Sequence, residues 1–206
     1  MSLQWENGTG TNFWSSDPEC SQYRTRFVMR GSLPTRALVS FPGSGNTWTR
    51  YLVEAASGVF TGSVFNDRLI IKAGHHGEAR PYSDGSTLLQ KTHHNAITTY
   101  GLEWRQDHIR QFGGRGVLVI RNPYKAIVSL YNLKLTKSHT ESVSAQSLLT
   151  KDFHSFVREN AEKWLEVIQD WLLYSTEVYV ILYEVSITII SLPCIPRSLG
   201  CSGSKR

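Results

Sequence analysis

The sequence predicts a three-layer α/β fold with a mostly parallel central sheet. Short apolar, β-branched runs such as Val117-Leu-Val-Ile120 and Val178-Tyr-Val-Ile-Leu182 alternate with longer amphipathic segments. That alternation is the pattern of a sheet covered on both faces by helices. A glycine-rich turn at Pro42-Gly-Ser-Gly45 joins one such run directly to a helical pattern. Finally, the residues with the most chemistry fall where the runs end, and in open α/β sheets ligands gather outside the carboxyl ends of the strands.

Residues 1–35 read as an irregular N-terminal arm, followed by a strand over 37–41. Trp48, Tyr51, Leu52 and Ala55 then recur at i, i+3, i+4 and i+7, which predicts a helix over 46–57. Between strand and helix, Gly43 and Gly45 permit dihedrals that turn successive N–H groups toward one point. The helix N-terminus adds unpaired donors and the positive end of its dipole, so the turn suits a phosphate. Ser44, Asn46 and Thr47 complete the loop, and Thr47 brings a hydroxyl. No lysine follows the second glycine, so this is not the G-x-x-x-x-G-K-[ST] loop of ATP and GTP hydrolysis.

The stretch 61–86 holds Gly62, Gly74, Gly77, Pro81 and Gly85, and reads as a breaker-rich loop on the acceptor side. Its adjacent His75 and His76 read as solvated residues. A strand over 87–92 delivers Lys91 and His93 two residues apart, on one face. A helix over 100–112 leads to a strand over 116–121 that ends at Arg121. Asn122 suits an N-cap and Pro123 the first position of a helix over 124–134. Ser129, about two turns past that cap, returns to the same side. Arginine beside a hydroxyl suits a second phosphate, although a carboxylate such as Glu184 is an alternative partner for Arg121. In a helix over 155–174, Phe156, Trp164, Leu165, Ile168, Trp171 and Leu172 form a broad core stripe. A last strand spans 177–183.

With 206 residues and 40% hydrophobic content, the chain can bury one domain's core. A net charge of +5 favours an anionic partner. No Lys/Arg run interleaved with aromatics points to nucleic acid. Cys20, Cys194 and Cys201 give an odd count without C-x-x-C spacing, which argues against a zinc site or a full disulfide framework. No run of about 18 apolar residues predicts a membrane span, and no signal peptide is evident.

The three segments, Pro42-Gly-Ser-Gly-Asn-Thr-Trp48, Lys91-Thr-His93, and Arg121-Asn-Pro with Ser129, resemble the sulfotransferases that use 3′-phosphoadenosine 5′-phosphosulfate (PAPS). The wording Leu38-Val-Ser-Phe-Pro-Gly-Ser-Gly-Asn-Thr-Trp48, with Arg121 to Ser129 and Ser138-His-Thr140, is most similar to the sulfotransferase domain of WSC domain-containing proteins. The resemblance covers about 36–185 and implies a P-loop-like sulfotransferase fold with PAPS as co-substrate and no metal. It implies that Gly43, Ser44, Gly45, Asn46 and Thr47 hold the 5′-phosphosulfate, that Trp48 stacks on adenine, and that Arg121 and Ser129 grip the 3′-phosphate. His93 would take the acceptor's proton, and Lys91 would stabilise the transferring sulfate. Read by periodicity alone, Trp48 is a core aromatic.

The same resemblance implies a glycan acceptor, sialylated by the WSC-type likeness, and a Golgi location. The sequence departs from the family twice. Gly43 stands where many sulfotransferases carry lysine, as the WSC-type members also allow. Beyond Glu184 the chain runs into a divergent tail over 186–206, so the C-terminal part of the fold is expected to be incomplete. Other readings are a truncated, non-catalytic form that binds nucleotide or protein, and a P-loop-type small-molecule kinase.

Overall fold

A computed structural model describes residues 3–8, 10–12, 21–72, 74–97, 100–138 and 141–189. Its centre is a five-stranded, all-parallel sheet in the order β2-β3-β1-β4-β5. The strands are β1 (Ala37–Ser40), β2 (Gly62–Ser63), β3 (Gln90–Thr92), β4 (Arg115–Ile120) and β5 (Glu177–Leu182). The helices are α1 (Asn46–Ser57), α2 (Arg68–Lys72), α3 (Leu102–Gln111), α4 (Pro123–Thr136), α5 (Lys151–Tyr174) and α6 (Tyr183–Ile189).

Alternation along β1 divides the core. Ala37, Val39 and Phe41 pack with Leu118 against Ile109 and Phe112, Ala126 and Ile127, and Val167 and Trp171, the apolar sides of α3, α4 and α5. Leu38 and Val119 point the other way, toward Tyr183, Trp48 and Leu89. Three layers result, because successive strand residues face opposite sides. β1 lies between β3 and β4, with Val39 opposite both Thr92 and Leu118. The chain leaves β1 toward one side of the sheet and later crosses to the other, so a topological switch point lies at the carboxyl end of β1.

Several elements differ from expectation. The breaker-rich 61–86 stretch contains β2, α2 and a 3-10 turn at His76–Ala79. Side chains, which the breaker count cannot register, hold it to α1. Arg50 is fully buried, pairs with Glu78 at 2.5 Å and donates to Thr61 Oγ1 at 2.8 Å. Glu54 accepts from Thr61 N at 3.0 Å, and His75 Nδ1 lies 3.5 Å from the same carboxylate. His75 is therefore buried rather than solvated, whereas His76 is exposed.

β5 is an edge strand and only partly covered: Val178 packs against the core, whereas Tyr179 is 74% exposed, and Val180 and Leu182 are also exposed. In α5, Phe156, Trp164, Ile168 and Trp171 face the core as expected, but Leu165 and Leu172 are exposed. No regular element precedes Ala37 among the described residues, yet this stretch is anchored by bridges pairing Trp5 with Val28, Thr11 with Thr25 and Arg26 with Val59. Residues 190–206 of the expected tail, all three cysteines and His139 lie outside the described residues.

Candidate functional site

β1, β3 and β4 end level with one another, and each end carries one of the three segments. After β1, Gly43 and Gly45 adopt positive φ of 79° and 88°, conformations that a side chain strains. A Cβ at Gly43 would stand 2.5 Å from the Ala126 carbonyl and 3.2 Å from Ser129 Cβ. The glycine thus lets the loop rest on α4, and no lysine fits there without moving backbone.

The main-chain N–H groups of Gly43, Gly45, Asn46, Thr47 and Trp48 have no hydrogen-bond partner among the described residues. Ser44 Oγ is likewise buried and unpartnered. A buried polar group without a partner is costly, and its presence in a turn of unpaired donors fits a missing anionic acceptor. Asn46 is different: its amide donates to Leu38 O at 3.0 Å and to Ser40 Oγ at 3.2 Å. Its amide nitrogen ties α1 to β1, so toward an anion it offers only its main-chain N–H, while its buried Oδ1 has no partner among the described residues. Trp48 is half-buried, packs on the Leu38, Val119 and Tyr183 cluster, and keeps an unpartnered indole N–H.

At the end of β3, His93 Nδ1 lies 2.9 Å from Ser40 O. A carbonyl only accepts, so Nδ1 carries the proton and Nε2 presents a lone pair. Burial first, and then the Lys91 charge, push the His93 pKa down to about 3 against the opposing hydrogen bond to Ser40. The imidazole is therefore neutral near pH 7. Burial also lowers the Lys91 pKa, with Arg50 adding to this and Glu78 and Asp67 opposing it.

Phe65, in the turn between β2 and α2, touches both groups. Its ring stacks on His93 with centroids 5.2 Å apart, and Lys91 Nζ lies 5.6 Å from its centroid. Sequence reasoning missed Phe65, since one aromatic in a breaker-rich stretch gives no local signal. It also missed the Ser40 carbonyl, a strand atom whose role depends on pairing between β1 and β3.

β4 delivers Arg121. Its NH1 donates to Gly43 O at 2.6 Å, its guanidinium carbon sits 4.7 Å from the Tyr183 ring centroid, and its Nε is buried without a partner. The residue fastens the end of β4 to the glycine loop and retains a donor. Asn122 caps α4 by accepting from Tyr124 N at 3.0 Å, with Pro123 in the first turn, as the sequence predicts. Glu184 accepts from Asn122 N at 3.0 Å. Tyr183, also unforeseen, lies so close to Gly45 that any Cβ there would strike its ring.

The structure thus brings Gly43, Ser44, Gly45, Thr47, Arg121 and Ser129 to one rim, with His93 joined to it through Ser40 and Lys91 beside His93. Such a site can bind an anion through main-chain donors and accept a proton at a neutral imidazole beside a cation.

No family model matches the sequence. The chain is 41% identical over 96 residues to a WSCD family member of Aedes aegypti, covering 47% of this chain and 26% of that protein. It is 41% identical over 102 residues to one of Drosophila melanogaster, covering 49% and 28%. A member from Drosophila pseudoobscura pseudoobscura is 36% identical over 124 residues, covering 56% and 35%. The matches thus span about half of this chain, and the chain spans about a quarter to a third of the length of these curated relatives.

Proposed function

We propose that the chain carries a sulfotransferase site that moves a sulfuryl group from PAPS to a hydroxyl of a glycan. The observation that carries this reading is the meeting of an unsatisfied anion cradle with a neutral, single-tautomer histidine. Similarity to WSCD family members supports it at the level of family. A Golgi location and a sialylated acceptor belong to the same proposal.

The donor supplies the activated sulfuryl group. The N–H groups of Gly43, Gly45, Asn46, Thr47 and Trp48, with Ser44 Oγ, hold its 5′-phosphosulfate. Arg121 Nε and the Ser129 hydroxyl would bind the 3′-phosphate, and Trp48 would stack on the adenine. His93 Nε2 takes the acceptor's proton as the new O–S bond forms and the bond from sulfur to the bridging oxygen breaks, releasing 3′,5′-phosphoadenosine. Lys91 offsets charge on the transferring group and the leaving oxygen. A neutral base with a pKa near 3 is weak, and the donor's negative charge beside Lys91 raises it toward the working range.

Binding without turnover is a second reading, favoured by the Tyr183 ring against Gly45 and by the Arg121 bond to the loop carbonyl. Radiolabelled sulfate transfer to a glycan panel separates the two. The wild type is expected to label an acceptor, and His93→Ala to lose at least a hundredfold, within the usual range for a general base. Equal labelling by both proteins would remove His93 from its role.

A further inference from the structure

Behind His93 lies a buried polar chain that the reaction does not use. His94, the next residue, holds φ at 50°, a left-handed conformation that costs a residue with a side chain about 1 kcal/mol or more. Its Nε2 lies 2.8 Å from Asp170 Oδ2, and its Nδ1 lies 3.1 Å from His108 Nδ1. His108 Nε2 lies 3.3 Å from Thr92 Oγ1, which accepts from His94 N at 3.1 Å.

The chain has a fixed direction at its Asp170 end. Hydrogen bonds from His94 and Arg105 hold the Asp170 pKa low despite burial, so the carboxylate only accepts and His94 Nε2 donates. One of the two facing Nδ1 atoms, on His94 or on His108, carries the proton that the other accepts. His108 Nε2 and the Thr92 hydroxyl carry the chain on from the other side of that ring. Burial first, and then His94, push the His108 pKa down to about 4, consistent with a neutral ring. Trp104 stacks on His108 at 4.9 Å, and Trp171 meets His94 edge-on at 6.4 Å, closing the chain from water. At the far end, Arg105 Nε bonds Asp170 at 2.6 Å, while Asn95 donates to Glu166 Oε2 at 2.9 Å. α5 therefore grips the 94–96 turn at two points, and the chain closes on residues 92 and 94, on either side of His93.

We infer that His94, His108 and Asp170 form a buried hydrogen-bond chain that fixes the turn carrying His93, and so act as positioning residues for that imidazole. The catalytic part of this inference rests on the role proposed above for His93. Apolar side chains would fill the same space without burying four polar groups, whereas a hydrogen-bonded chain fixes direction as well as volume. Packing alone does not account for it.

The test is nitrogen-15 imidazole spectroscopy near pH 7 on the full chain and its variants, combined with sulfate transfer. In the wild type, His93 is expected as the Nδ1–H tautomer and His94 with its Nε2 protonated. His108→Phe keeps a stacking ring but removes both bonds. It is expected to move the His93 nitrogens toward averaged values and to lower kcat tenfold or more, with the Kd for 3′,5′-phosphoadenosine within twofold. His108→Asn, whose amide both donates and accepts and so keeps a bond to His94, is expected to restore the His93 spectrum. Thr92→Val keeps volume and strand propensity, and decides the point by the same spectra if His108→Phe does not fold. Unchanged His93 nitrogens in His108→Phe, or in Thr92→Val where that variant decides, would overturn the inference. Failure of the wild type to transfer sulfate would overturn the functional reading instead, while the spectra still decide the positioning role.

Discussion

Gly43→Ala strikes the point where the loop meets α4, and its cost follows from geometry. The residue sits at φ 79°, where a side chain costs about 1 kcal/mol or more. The added methyl carbon would stand 2.5 Å from Ala126 O and 3.2 Å from Leu130 N, both main-chain atoms of α4. No flexible side chain can yield, so loop or helix must shift by several tenths of an ångström, an overpacking cost of about 1–3 kcal/mol. Together these give a loss of roughly 2–4 kcal/mol. The shift also pulls on the Gly43 carbonyl that Arg121 holds, so weaker donor binding is expected beyond the loss of stability. Urea unfolding followed by tryptophan fluorescence reads the first effect, and calorimetry on the folded variant reads the second. A stability loss below about 0.5 kcal/mol would refute the reasoning, because the loop would then not rest against α4 as described.

Other perturbations test separate parts of the site. His108 has a folded pKa of about 4 against 6.5 for the free side chain, so on acidification the unfolded chain takes up a proton that the native state refuses. Its contribution to stability is thus lost as pH falls from 6.5 toward 4, by roughly 2 kcal/mol at pH 4.5. Unfolding curves at pH 7 and 4.5 should show a smaller acid loss in His108→Phe than in the wild type, and an identical loss would count against it. Lys91→Met removes the second-largest cause of the low His93 pKa, so an imidazole titration should show that pKa rising; an unchanged or lower value would contradict the coupling. Phe65→Ala uncovers a ring contact on His93 and Lys91. It is expected to weaken acceptor KM and kcat severalfold while leaving donor affinity unchanged, and a purely donor-side effect would exclude Phe65 from the acceptor side.

The layered fold was legible because β1 and β4 are apolar runs followed by turn chemistry with one physical solution each: glycines at positive φ before α1, and Asn122-Pro123 before α4. The convergence of the loop with Lys91, His93 and Arg121 was legible for the same reason, since parallel strands place such ends on one edge. β2 escaped notice because two residues form no pattern, and their place depends on pairing with β3. The buried Arg50–Glu78 pair and the His94–His108–Asp170 chain join residues 28, 14 and 76 positions apart, which no periodicity encodes. Apolar composition alone suggested that β5 was covered, but coverage depends on what packs against a strand.

The central claim is most directly tested by calorimetric titration of the protein with 3′,5′-phosphoadenosine, adenosine 5′-phosphate and ATP. 3′,5′-Phosphoadenosine is expected to bind at least tenfold tighter than either of the others, with Arg121→Met erasing most of that preference. Equal affinity for the three, or a clear preference for ATP, would contradict it.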